Sequence, residues 1–198
     1  MKNSKHCGEV IESSLLGWLV QSWQWDYFLP FGSIALIETS QRTVLGIVHQ
    51  IQTGSMDPVR YPFPYKKTED ELLRDQPQIF EFLKTTFSCI TIGYQEKGTI
   101  FYQLAPEPPK IHSFVGLASK DLNHQFFADE RYLHVLFGLT NQIMNLDELL
   151  LAMLKHRTDL GLLTKERIED FIHTFSLLTG NDYRRLKLFL QRAQSVIK

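Results

Sequence analysis

The stretch from Gly17 to Gln52, GWLVQSWQWDYFLPFGSIALIETSQRTVLGIVHQIQ, constrains the fold more than any other part of this chain. Aliphatic, β-branched and aromatic residues dominate it, punctuated by glycine, proline and short polar turns, which suits strands. The pattern from Glu9 to Val20 reads as a strand that bends at Gly17. Leu29-Pro30-Phe31-Gly32 then breaks the ladder, because Pro30 has no N–H to donate and Gly32 takes a positive φ without steric cost. Ser33–Glu38 and Thr43–Gln52 follow as strands around the polar turn Thr39–Arg42, with Gly46 where a barrel strand bends. The order is that of a small barrel being wound.

The rest of the first half supplies the means to close it. Residues 1–8 are polar and read as loose, and Met56–Thr68 reads as loop because MDPVRYPFPYKKT carries three prolines. Its Tyr61, Phe63 and Tyr65 form either an exposed aromatic clasp or a segment folded back over the barrel mouth. Glu69–Thr85 has helical spacing with acids at its start and Pro77 within it, predicting two short helices or a kink. Phe87–Tyr94 and Thr99–Leu104 flank the turn Gln95-Glu96-Lys97-Gly98 and read as a hairpin. The stiff connector Ala105–Lys110 leads to a last strand over Ile111–Leu117.

Beyond Ser119 every apolar pattern has a period near 3.6, predicting helices over Phe126–Met144, Asn145–His156, Thr164–Leu178 and Asn181–Ile197. Asn145 with Glu148, Thr164 and Asn181 occupy N-cap positions, while Gly161 and Gly180 stand where helices end. The expected fold is α+β: a small closed or nearly closed β-barrel over residues 1–118, followed by an α-helical bundle over residues 119–198.

In the order of its elements the first half resembles the HAS-barrel, the small barrel of HerA-type helicases and ATP synthases. The resemblance rests on the Gly17 strand, Phe31-Gly32-Ser33-Ile34-Ala35-Leu36-Ile37, Val44-Leu45-Gly46-Ile47-Val48, and Ile90-Thr91-Ile92-Gly93-Tyr94 followed by APEPPKIHSFV. It implies a module for docking on, or oligomerising at, one end of a ring-shaped ATPase, and it implies no catalysis. The sequence contains no G-x-x-x-x-G-K-[ST] loop to cradle nucleotide phosphates, and the roughly 80 residues after Ser119 are too few for a nucleotide-binding domain.

Other chemistry leaves little trace. A net charge of −1 creates no overall pull toward nucleic acid or anionic membranes. Of the two cysteines, Cys7 lies in the polar N-terminus and Cys89 in an apolar run that makes it a core thiol. His6, His49, His112, His124, His134, His156 and His173 lack zinc-site spacing, no serine or cysteine has a nucleophile's frame, and the paired acids fall on predicted helices. No catalytic residue, cofactor or metal ligand is therefore assigned. Glu9 and Glu12 interrupt any signal peptide, no run reaches the ~18 apolar residues of a membrane span, and a cytoplasmic location is expected.

Two groups of residues remain as candidates. Trp23, Trp25 and Tyr27 alternate with polar residues and would share one face of a strand, as barrel core or as a stacking platform. After Asn181, the cations Arg184, Arg185, Lys187, Arg192 and Lys198 face a single acid, Asp182. Leu186, Leu188, Phe189, Leu190, Val196 and Ile197 supply the apolar side of this helix. It either docks on the protein or meets nucleic acid or an acidic partner. The first functional expectation is a non-enzymatic interaction or assembly protein acting on a larger machine such as a ring ATPase or a helicase–nuclease system. The alternative is a nucleic-acid-binding accessory protein, and homo-oligomerisation stays open.

Overall fold

The structure, a computed structural model, describes residues 6–57, 59, 62–180 and 182–197. Six strands close into an antiparallel barrel: β1 (His6–Ser13), β2 (Gly17–Ser22), β3 (Ile34–Glu38), β4 (Thr43–Ser55), β5 (Leu83–Glu96) and β7 (Phe114–Leu117), ordered β2-β1-β7-β3-β4-β5 with β2 returning to β5. The short β6 (Thr99–Phe101) extends the sheet outside the ring by pairing with β5. Seven α-helices accompany the strands among the described residues: α1 (Glu69–Asp75), α2 (Gln78–Glu81), α3 (Lys120–Phe126), α4 (Tyr132–Gly138), α5 (Leu146–Asp159), α6 (Lys165–Leu178) and α7 (Tyr183–Ala193). The protein is thus α+β with a closed barrel, and no helix among the described residues is long and apolar enough to cross a membrane.

Side-chain alternation sorts the strands into two cores. Cys7, Val10, Trp18, Val20, Ala35, Ile37, Val48, Phe87, Cys89 and Val115 form one buried cluster, the barrel interior. Ile34, Leu36, Leu45, Ile47, Ile90 and Ile92, on the opposite face of β3, β4 and β5, join a second cluster with Phe126, Tyr132, Leu150, Phe175 and Phe189 from the helices. The near-continuous apolar run Ile34–Ile37 follows from this arrangement, since both faces of β3 are covered. Helix α4 packs on β5 and α6, and α7 packs on α5 and α6.

Two glycines set close approaches. Gly32 has φ +81°, and a Cβ there would stand 2.7 Å from the Cβ of Ala152, so this turn brings the barrel against α5. Gly46 lies at a register shift in β4, and a Cβ would come 2.6 Å from Cζ2 of Trp18 and 3.1 Å from the Ile90 carbonyl oxygen.

The break at Pro77, the hairpin of β5 and β6, the last strand and the caps Asn145 and Thr164 agree with the sequence pattern, and Gly161 and Gly180 have positive φ at helix ends. Other expectations need correction. Glu9–Val20 is a hairpin, not one bent strand: the Ser14 hydroxyl accepts from Gly17 N–H at 3.2 Å, and Ser14 N–H donates to the Gly17 carbonyl at 2.9 Å, folding β2 back on β1. Residues 6–8 are consequently strand, and Cys7 is buried rather than loose, its thiol directed at the Val115 carbonyl oxygen 3.6 Å away. Strand β5 begins at Leu83, four residues before the apolar run that announces it, because Leu83–Thr86 pair with Gln52–Ser55. Asp182 caps α7, while Asn181 lies outside the described residues.

The helix expected over Phe126–Met144 is not continuous: α3 ends at Phe126, α4 covers only Tyr132–Gly138, and a short 3-10 turn follows over Thr140–Gln142. Asp129 accepts from Arg131 N–H and Arg131 Nε, each at 2.8 Å, a local turn that competes with helical hydrogen bonding. The break turns Glu130 inward, where Oε1 accepts from Arg157 Nη2 at 2.9 Å and Oε2 from Nη1 at 3.3 Å. Arg157 is fully buried, also donates to the Tyr132 hydroxyl at 3.1 Å, and lies 4.9 Å from the Phe127 ring centre.

Arg157→Ala is expected to lower the unfolding free energy by about 3–5 kcal/mol, because it leaves the Glu130 carboxylate buried without its cation. Arg157→Met combined with Glu130→Gln should recover most of that loss, and urea denaturation compares the two. Gly46→Ala should cost about 1–3 kcal/mol by driving a methyl group into Trp18, read in the same experiment.

Candidate functional site

The segment after β2 carries the aromatic candidates. Trp23 N–H extends the ladder by one bond to the Cys7 carbonyl at 3.0 Å, and the chain then turns at Trp25-Asp26, closed by a bridge between Gln24 and Tyr27. Trp23, Trp25 and Tyr27 therefore share no strand face, and the expectation that they line the core is overturned. Turn formation at Asp26 outweighs the alternation that suggested a strand.

Each ring has its own surroundings. Trp25 is half-buried and stacks on Phe80 of α2 at 5.4 Å, while its carbonyl accepts the Thr85 hydroxyl proton. Tyr27 is 54% exposed and Trp23 is 48% exposed. The Trp23 ring meets Phe114 edge-on at 5.3 Å, and Phe114, itself 52% exposed, lies 5.7 Å from the His6 ring. Trp23 Nε1 donates to Glu9 Oε1 at 3.0 Å, and Glu9 Oε2 is 3.1 Å from His112 Nδ1. Strands β1 and β7, with Trp23 just past the end of β2, thus carry an aromatic surface beside the Glu9 carboxylate. Phe114, Glu9 and His112 were absent from the sequence candidates, because their juxtaposition depends on pairing between strands more than 100 residues apart.

Helix α7 is docked. Phe189 and Ala193 are buried, and Phe189 stacks on Phe175 at 4.7 Å. Arg185 donates to Asp147 at 2.8 Å and lies 5.8 Å from the ring centres of Phe137 and Phe175, and Arg192 pairs with Glu148. Two of the candidate cations are thereby engaged with acids in the first turn of α5, and Arg184 and Lys187 are exposed. Leu188 is also exposed, correcting its assignment to the apolar side. The helical repeat places Leu186, Phe189 and Ala193 on the docked side and turns Leu188 away from it. Lys198 lies outside the described residues.

Three of the cavities among the described residues lie along the barrel. A polar one of about 390 Å³ is lined by Glu38–Arg42, Glu107 and Lys110. An apolar one of about 460 Å³ lies among Ser55, Val59, Phe63, Tyr65, Phe82 and Leu83, with Phe63 and Tyr65 in ring contact at 4.4 Å. These two rings stay beside the ends of β4 and β5, and Tyr61 lies outside the described residues. The third, about 280 Å³, includes His49, Trp18, Glu12 and Gln142.

Reactive chemistry is muted by burial. Desolvation pushes the Cys7 thiol up to about 11 and the Cys89 thiol well above its ordinary value, so both stay protonated at neutral pH. Among the described residues no three His, Cys, Asp or Glu side chains gather as a metal would require. The sequence matches no model of a known protein family and no curated protein.

Burial holds the His49 imidazole below its ordinary 6.5, and burial likewise lowers His156 against an opposing pull from Asp159. The unfolded chain then binds more protons than the native one below pH 6.5. Stability is expected to be full above that pH and to fall as pH drops toward the folded values. Thermal unfolding from pH 7.5 to about 5 measures this, and His49→Gln should flatten part of the slope.

Proposed function

We propose that this chain is a non-enzymatic interaction protein that docks on, or assembles with, a larger machine. The observation that supports it is the pre-positioned cluster of exposed Trp23 and Phe114 with half-buried His6, beside Glu9 where β1 pairs with β7. Contiguous exposed aromatic surface marks contact sites, and rings held by neighbours lose little entropy on association. In this reading the barrel is of the HAS type, the helices α3–α7 form the bundle attached to it, and the partner is a ring-shaped ATPase or helicase. The resemblance in the order of the strand motifs supplies that partner class.

The nucleic-acid reading draws on the exposure of Trp23 and Tyr27, which leaves ring faces for stacking on bases. It is the weaker one, because Arg185 and Arg192 are already engaged by Asp147 and Glu148.

Mass spectrometry of proteins retained by the tagged chain should find a partner in stoichiometric amounts, reduced several-fold by Trp23→Ala combined with Phe114→Ala. A monomer that retains no partner under gentle conditions sinks the proposal. Binding to single-stranded DNA that weakens steeply with salt would favour the second reading.

A further inference from the structure

Strands β4 and β5, 13 and 14 residues long, run well past the part of the barrel that encloses the core. Strand β3 pairs with β4 only from Thr43 to Ile47, and Gly32 and Ser33 extend that contact to Val48. Strand β5 stays paired with β4 as far as Ser55 opposite Leu83. From Gln50 to Ser55, β4 therefore has β5 on one side and, among the described residues, no strand on the other.

The ladder fixes which groups face that open side. Met56 N–H donates to the Phe82 carbonyl at 2.7 Å. By antiparallel alternation Gly54 and Gln52 also bond toward β5, which leaves the N–H and C=O groups of Ile51, Thr53 and Ser55 directed outward. Proteins ordinarily blunt such an edge with lysine, proline or another charge. None occurs from Gln50 to Met56, and the register shift near His49 lies upstream of the open part.

A second observation coincides with the first. The apolar cavity of about 460 Å³ begins at Ser55 and Leu83, the end of this ribbon, and is walled by Val59, Phe63, Tyr65 and Phe82. Phe63 is 63% exposed. Outward backbone groups beside a pocket for a large apolar side chain are the two components of recognition by strand addition.

We propose that the Gln50–Ser55 edge of β4 receives an extended segment of a partner protein as an added strand, with one large apolar side chain of that segment in the Ser55–Phe82 pocket. The inference rests on the reading of the chain as an interaction protein and names a surface for it. The absence of charge along the edge calls for an uncharged paired segment, since a buried unpaired charge opposes binding. A second copy of the chain suits the edge less well. Self-pairing over six residues makes a contact about 20 Å long and about 10 Å deep, on the order of 400 Å² over the two copies, well short of the ~1,200 Å² that a specific, stable interface buries.

The test is selection of random eight-residue peptides displayed on phage against the whole protein, followed by amide hydrogen exchange with a synthetic selected peptide. Uncharged, β-branched sequences with an aromatic or large aliphatic residue at one end are expected, slowing exchange at Ile51, Thr53 and Ser55 at least about tenfold. N-methylation of alternate peptide amides, which leaves the protein untouched, should weaken binding at least about tenfold, and Thr53→Lys should do the same. Selected peptides that leave those three amides unprotected overturn the proposal, as does a selection yielding no such sequences. Protection already present in a protein that sediments as a dimer assigns the edge to a second copy and also overturns it. If Thr53→Lys keeps the native partners of the tagged chain, this inference fails while the interaction reading stands; if the unaltered chain retains no partner, that reading fails by itself.

Discussion

Strands β3, β4 and β5 are apolar on both faces, and this governs the rest of the molecule. A free-standing barrel of these residues would present Ile34, Leu36, Leu45, Ile47, Ile90 and Ile92 to water, each losing about 1.5–3 kcal/mol of burial. The helices supply the missing cover, and Gly32 lets the barrel turn come close enough to α5 for contact. Although the secondary structure changes from strand to helix near residue 118, the apolar core runs through that point without a break. The outer surface of β1 and β7 escapes this demand and is left to carry exposed rings.

The buried Arg157–Glu130 pair has a related role. Its charges are held by a two-pronged ion pair, the Tyr132 hydroxyl and the face of Phe127, so it ties the break between α3 and α4 to the last turn of α5. Apolar residues alone would fill the space without specifying where Glu130 must lie. A half-satisfied version is heavily penalised, which restricts the ways these helices can pack.

Much of the architecture was legible in the sequence because it depends on local chemistry. Pro77, the polar turn before Thr43, the β5–β6 hairpin and the Asn145 and Thr164 caps act within a few residues of themselves. Legibility failed where a local pattern admitted two outcomes. Alternation of Trp23, Trp25 and Tyr27 looked like a strand, but Asp26 made a turn, and the rings went to Phe114, Phe80 and solvent. A helical period across Phe126–Met144 hid the competing turn at Asp129. The charge on α7 was visible, whereas its engagement by Asp147 and Glu148 was not, since that depends on which helices become neighbours.

The placement of β7 between β1 and β3 bears on how the chain folds as it is made. Strand β1 needs β7 as one neighbour, and His6 lies opposite Gly116 in that ladder. Strand β1, made before the other strands of this barrel, must therefore wait for more than a hundred further residues before its second edge is covered. The β1–β2 hairpin forms from nearby residues, while closure of the ring is a long-range event of the kind that slows folding and leaves strand edges open meanwhile. During that interval the nascent chain is a partly wound sheet, and the edge of β1 that faces β7 is among the last to be covered.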